Sequence, residues 1–289
     1  MAATKAAQIR DMLRSGQTVF MPGIFDALSA RIASQQGFDV LFITGYSVSA
    51  TSLGLPDLGY LTQTEIAEAA RRICGQVPQP VIVDADTGYG GVTNVYRTVE
   101  FMQQAGAAGI FLEDQTWPKR CGHLSGKLVV PAEEWLSKLR AVLEARGDRD
   151  LFLVARTDAR EAVSLDEAIH RGKAAYELGV DAVFIEAPQS LEEMRAIAKE
   201  IPGPLVANMI EKGRTPLMTP SELHGLGFDL IVSPLTGLFA AARALREVYS
   251  ILKEKGTARD NLDKLIPFDD FNDIMDLQSH LALDQRYRG

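Results

Sequence analysis

Short apolar runs alternate along the chain with segments of helical periodicity, and each run is followed by a polar or glycine turn. Eight runs stand out: Val19 to Met21, Val40 to Ile43, Val81 to Val83, Gly109 to Leu112, Leu151 to Ala155, Ala182 to Ile185, Leu205 to Ala207 and Leu230 to Val232. Several are apolar at successive positions, which suits strands covered on both faces, as parallel strands between helices are. Eight strand–helix repeats predict an α/β fold, a (β/α)8 TIM-type barrel forming a single domain over residues 1–289. Helix starts are marked independently, because Thr62 to Glu65, Ser164 to Glu167, Ser190 to Glu193 and Thr219 to Glu222 all fit the S/T-x-x-E capping box.

Most strands follow one another at about 20 to 30 residues, a normal repeat, but roughly 40 separate the second from the third and the fourth from the fifth. The two inserted loops are Gly45 to Thr62 and Asp114 to Val130. Long loops on a barrel are where function concentrates. After the last repeat comes a C-terminal helical extension, 253–289, with a charged linker and then a stripe of Phe271, Ile274, Met275, Leu277 and Leu281 that needs a partner surface. That added segment either packs on its own barrel or is swapped between subunits.

Composition narrows the function. The 289 residues are 46% hydrophobic, enough for a sizeable core, and the net charge of −8 argues against a nucleic-acid partner, which would favour a basic face. No run of 18 or more apolar residues crosses a membrane, and the N-terminal stretch lacks a signal-like apolar core, so a cytoplasmic protein acting on small molecules is expected. Cys74 falls in a helical segment and Cys121 in a glycine-flanked loop, which is not a disulfide framework.

In such a barrel the chemistry sits where strands end, at the C-terminal face. There the chain carries Thr44, Gly45 and Tyr46 after the second strand, Asp84 and Asp86 after the third, Glu113 and Asp114 after the fourth, Arg156 and Asp158 after the fifth, Glu186 after the sixth and Asn208 after the seventh. Asp84, Asp86 and Glu113 crowd carboxylates at one rim. Their repulsion favours a bound cation, and oxygen-only ligands favour Mg²⁺, or Mn²⁺, over zinc; any one such acid taken alone more commonly caps a helix start or pairs with Arg or Lys. Arg156 offers a planar fork for a substrate carboxylate, or for a buried ion pair with Glu186 or Asp158. In the fourth-strand loop, Lys119, Arg120 and His123 surround Cys121, so a lowered thiol pKa and a reactive cysteine are expected.

At this point the motifs become familiar. Lys119 to His123 (KRCGH), the preceding IFLEDQ, DADTGYG at Asp84 to Gly90 and ARTDA at Ala155 to Ala159 resemble the isocitrate lyase and phosphoenolpyruvate mutase superfamily, from about Phe20 to Leu238. KRCGH is similar to the lyase branch in particular. TGYSVSA at Thr44, GLPD at Gly54 and ANMIEKGRTP at Ala207 look closest to its 2,3-dimethylmalate lyase and petal-death types, and then to 2-methylisocitrate lyases, which read Ser-Gly-Gly where this chain has Thr44-Gly45-Tyr46.

The resemblance implies a Mg²⁺-dependent carbon–carbon lyase that splits a 2-hydroxy di- or tricarboxylate into a 2-oxo acid and a carboxylate through an enolate-like intermediate. It implies metal binding by Asp84, Asp86 and Glu113, partly through water, with Asp57 in support. It implies carboxylate binding by Thr44, Gly45, Tyr46 and Arg156, and contacts from Glu186 and Asn208 to the departing fragment. Cys121 becomes the acid/base, on a mobile loop with Lys119, Arg120, Gly122 and His123. A homo-oligomer, a tetramer by resemblance, is also implied. An oxaloacetate hydrolase or decarboxylase, or a phosphonate-forming mutase, would share the metal and the enolate chemistry. A barrel that binds a dicarboxylate without turning it over stands as the non-enzymatic alternative.

Overall fold

The computed structural model describes residues 3–288. Eight strands, β1 (Val19–Ile24), β2 (Leu41–Ile43), β3 (Val81–Asp84), β4 (Gly109–Glu113), β5 (Phe152–Thr157), β6 (Ala182–Ile185), β7 (Val206–Asn208) and β8 (Leu230–Ser233), fall where the apolar runs predict them. All pair in parallel in the order β6-β5-β4-β3-β2-β1-β8-β7, and a parallel bridge between Val183 and Leu205 joins the two ends. The sheet thus forms a barrel, with helices outside it.

Two apolar cores follow from the side-chain alternation of the strands. One parity points into the barrel: Val19 and Met21, Val40 and Phe42, Ile82, Phe111, Phe152 and Val154, Ala182 and Phe184, Val206, and Leu230 and Val232 form one buried cluster. The helix Lys5–Arg14 closes the bottom of this interior with Ala6 and Ile9. Arg10 locks that helix down through Asp181 at 2.6 Å and Asp150 at 2.8 Å. The other parity, including Ile43, Val83, Ile110, Leu112, Leu153, Val183 and Ile185, meets the helices in a larger cluster with Ile66, Val99, Trp135 and Leu139.

Each expected capping serine or threonine accepts the bond of a helix start. Only Thr62 and Thr219 complete the reciprocal box. Glu167 turns instead to Arg171, and Glu193 to Arg160 and the Gln189 N–H, because an ion pair was within reach. The charged stretch expected as a linker from Lys253 begins inside a helix: Thr236–Lys255 is continuous and ends at left-handed Gly256. The helices Phe268–Ile274 and Leu277–Tyr287 follow. Among the described residues no helix is long and apolar enough to cross a membrane.

Candidate active site

The inward parity that fills the barrel continues past the apolar layer to the residues ending the strands. Phe42 leads two residues on to Thr44, Ile82 to Asp84, Phe111 to Glu113, Val154 to Arg156, Phe184 to Glu186 and Val206 to Asn208, all buried. Strand register sets Glu113 beside Arg156, since the two are paired across β4 and β5. Asp114 has the opposite parity. It faces the helices, where Arg171 at 3.0 Å, Thr157 and the Asp158 N–H satisfy it, so it plays no part at the rim.

Asp84, Thr44, Tyr46, Asp57, Cys121, Gly122, His123, Arg156, Glu186 and Asn208 line one cavity, floored by Phe42, Phe111, Phe184 and Val232. Gly45 backs onto the acids, since a Cβ there would lie 3.3 Å from Asp84 Oδ2 and 3.4 Å from Asp86 Oδ1. Asp86 itself is held at φ 47°, a left-handed conformation costly for a non-glycine residue and characteristic of functional sites. Tyr89 donates to its Oδ2.

Protein cations already answer part of the repulsion at the rim. Lys119 Nζ lies 2.6 Å from Asp57 and 2.7 Å from Asp86 Oδ1. Arg156 realises the ion-pair alternative: Nε and Nη2 engage Asp158, Nη2 lies 3.2 Å from Glu186, and Nη1 lies 3.4 Å from Glu113. Even so, both Glu113 carboxylate oxygens are buried outside any hydrogen-bond geometry, and Asp86 Oδ1 meets only the Lys119 ammonium. Burial pushes Asp86 up to about 7, against the pull of Lys119, and raises Glu113 well above the carboxylate range, against Arg156. Burial also acts to raise Glu186, but Arg156 and then His123 outweigh it and hold this carboxyl down at about 2.

Among the described residues no group of three or more His, Cys, Asp or Glu side chains converges as a ready-made metal cage. The donors nevertheless fit a hydrated hard cation, because Mg²⁺ keeps several waters and takes only one or two carboxylates directly. A bound cation would also take the place of the protons that burial favours on Asp86 and Glu113.

The fourth-strand loop covers the cavity. Gln115 clips the Arg120 backbone at both its N–H and its carbonyl, and the Cys121 N–H donates to Asp57 O at 3.2 Å. The Arg214 N–H donates to His123 Nδ1 at 3.0 Å, so a neutral imidazole carries its proton on Nε2, 3.2 Å from Glu186 Oε1.

The lowered thiol pKa expected for Cys121 is overturned: burial, with Asp57 and Glu186 nearby, pushes it up to about 11. The reason is where the loop cations go. Lys119 is committed to Asp57 and Asp86, and Arg120 turns to solvent, reaching Ser125 O, away from the cavity. Sequence reading also gave no role to Lys127, Glu161 and Arg214, whose ion pairs hold the loops together; nothing in their sequence neighbourhood marks them.

The model of the phosphoenolpyruvate phosphomutase family matches residues 9–253. The chain belongs to this family, within the phosphoenolpyruvate mutase and isocitrate lyase superfamily. It is 50% identical to the petal death protein of Dianthus caryophyllus over 94% of this chain and 86% of that one. It is 51% identical to a protein of Arabidopsis thaliana named chloroplastic carboxyvinyl-carboxyphosphonate phosphorylmutase, over 93% of this chain and 80% of that one. The crystal structure of 2,3-dimethylmalate lyase superimposes with a TM-score of 0.93 at 35% identity, covering 100% of this chain and 97% of that chain.

Proposed function

We propose that this enzyme, a carbon–carbon lyase of its superfamily, cleaves the C2–C3 bond of a 2-hydroxy di- or tricarboxylate of the 2,3-dimethylmalate or 2-methylisocitrate type. The products are a 2-oxo acid such as pyruvate and a second carboxylate. The observation that carries this reading is the placement of Cys121 in the same buried cavity as Thr44, Asp84 and Arg156, where burial pushes its thiol up and so favours the protonated form. A thiol that keeps its proton at neutral pH is in the form a general acid for carbon needs.

Asp84, Asp86 and Glu113 would hold a divalent ion, Mg²⁺ or Mn²⁺. When bound, such an ion acts as a Lewis acid toward the substrate's 2-hydroxyl and adjoining carboxylate. The Thr44 to Tyr46 segment and Arg156 Nη1, which donates no hydrogen bond among the described residues, hold that carboxylate at the wall. Burial, and then Cys121 and Asp57, raise the Tyr46 phenol, so Tyr46 serves as a hydrogen-bond donor rather than a base. As the C2–C3 bond breaks, the 2-hydroxyl proton leaves to a water in the cavity and Cys121 delivers its own proton to C3 of the enediolate fragment. The thiolate regains a proton from solvent when the loop opens. The fragment's carboxylate meets Asn208 and His123, both oriented by Glu186. Asn208 meets that carboxylate as a donor, through the Nδ2 that otherwise lies 3.3 Å from both Glu186 oxygens.

The cavity beneath the loop measures about 40 Å³, tight for a dicarboxylate. The loop over it therefore withdraws for substrate to enter and returns to exclude water.

We further propose a homo-oligomer, a tetramer by resemblance, in which the C-terminal helices lie on a second copy. In support, Thr236–Lys255 follows β8 but buries none of its residues, and Tyr249 at 62%, Phe268 at 80% and Tyr287 at 76% exposure leave apolar faces open.

The test is a panel of 2,3-dimethylmalate, 2-methylisocitrate, isocitrate and oxaloacetate with Mg²⁺ and with EDTA, measuring pyruvate, glyoxylate and oxalate together. Metal-dependent pyruvate from either of the first two supports the reading. Oxalate from oxaloacetate alone would replace it with a hydrolase.

A further inference from the structure

Two loops meet over the cavity, and both are tied to one side chain that touches neither the cavity nor a reacting atom. In the fourth-strand loop, Lys127 is buried; its ammonium donates to the Gly122 carbonyl and lies 3.0 Å from Asp158 Oδ1 and 3.3 Å from Glu161 Oε2. In the loop after β7, Arg214 Nη1 lies 3.3 Å from Glu161 Oε1, while its backbone N–H holds His123. Gly213 beside it makes the seat tight, since a Cβ there would fall 2.6 Å from His123 Nδ1.

Glu161 sits in the short helix Ala159–Ala162, which begins directly after the Arg156–Asp158 stretch and so moves with β5. One carboxylate on the rigid barrel therefore faces a cation from each loop, and the loops touch each other through His123. We infer that Glu161 is a positioning residue that latches residues 119–127 and 210–215 down as one unit, through Lys127 and Arg214, and so sets Cys121, Gly122 and His123 over the substrate. This rests on the lyase reading for its purpose, though not for its geometry. Because the loop lies over a cavity tight for the proposed substrates, the latch opens to admit substrate and re-forms over it. Breaking a partly buried ion pair of this kind shifts a local opening equilibrium without unfolding the barrel.

The test uses the full chain. Glu161→Gln keeps the shape and removes the charge; Glu161→Asp keeps the charge. Alkylation of Cys121 by iodoacetamide, read by mass spectrometry with buried Cys74 as internal control, reports the covering loop without reference to turnover. The expected result for Glu161→Gln is about tenfold faster Cys121 alkylation, equal to about 1.4 kcal/mol of opening. Faster amide exchange in both 119–127 and 210–215 accompanies it, with unchanged far-UV circular dichroism. KM rises more than kcat falls, and Glu161→Asp restores part of both. Should Glu161→Gln lose secondary structure, Arg214→Met carries the test, since its side chain is 31% exposed and its removal is also expected to free the Cys121 thiol. Unchanged alkylation in the folded variants, or faster exchange in one loop only, would overturn the latch. If the variants free the thiol while the wild type cleaves no 2-hydroxy acid, the latch stands and the lyase reading falls.

Discussion

Replacing Gly122 by alanine tests whether the loop seats directly on the arginine that is proposed to hold substrate. A Cβ at Gly122 would lie 2.5 Å from Arg156 Nη2 and 2.5 Å from Glu186 Oε2. Its φ lies outside the left-handed region, so the effect is steric rather than conformational. Ordinary contact distances begin near 3.5 Å, so relief takes a displacement of about 1 Å. Arg156 is pinned by Asp158 and Glu186, and the loop by Lys127, so the displacement falls on the geometry between Cys121 and substrate. A misplacement of about 1 Å costs a rate of about 100-fold, or about 3 kcal/mol of transition-state stabilisation. The assay is kcat/KM for 2-oxo-acid release, measured beside the thermal midpoint. Since the strain is confined to a loop, Tm is expected to fall by no more than about 4 °C. Gly122→Ala with wild-type kcat/KM would show that the loop does not pack on Arg156 when the reaction occurs.

Cys121→Ser is expected to lower turnover by about 100-fold or more with the fold intact, because a hydroxyl is a far poorer proton donor to carbon at neutral pH. The Cys121 thiol, raised from 9.0 to about 11, is favoured by folding, so its contribution to stability is full below pH 9 and is lost as pH rises through about 11; Cys121→Ser should flatten the alkaline slope of a denaturation series. Asp150 is depressed from 3.8 to about 2 by Arg10 and Thr4 despite burial, so its stabilisation is present above pH 4 and is lost as pH falls toward 2. Asp150→Asn should remove that acid-side loss, and an unchanged acid slope would mean Arg10 does not fasten the bottom helix. Truncation after Gly256 is expected to reduce the assembled mass in light scattering; an unchanged mass would place the subunit contacts elsewhere.

Much of the barrel was legible because burial on both faces leaves strands as apolar runs too short and too β-branched for helices. Thr44, Asp84, Glu113, Arg156, Glu186 and Asn208 were legible too, since a polar residue ending such a run must face the barrel mouth or be costly. Parity was the finer signal: two-residue steps from Phe111 and Val154 separate Glu113 and Arg156, which enter the mouth, from Asp114 and Thr157, which do not. What the sequence did not reveal is where long side chains end. Lys119 and Arg120 are neighbours, yet one is buried between Asp57 and Asp86 and the other reaches solvent, and this reverses the expected effect on Cys121. Lys127 and Arg214 reach Glu161 only because two separate loops converge on the short helix after β5, a tertiary fact with no local trace.

The account turns on carbon protonation by the Cys121 thiol, and cleavage in D₂O followed by proton NMR reads that event directly. With Mg²⁺ and a cleavable 2-hydroxy acid, the predicted spectrum shows pyruvate together with a partner acid bearing one deuterium at the former C3, formed by wild type and all but lost in Cys121→Ser. An undiminished rate of that labelled product in a folded Cys121→Ser protein, or turnover of the panel that leaves the C2–C3 bond whole, would contradict it.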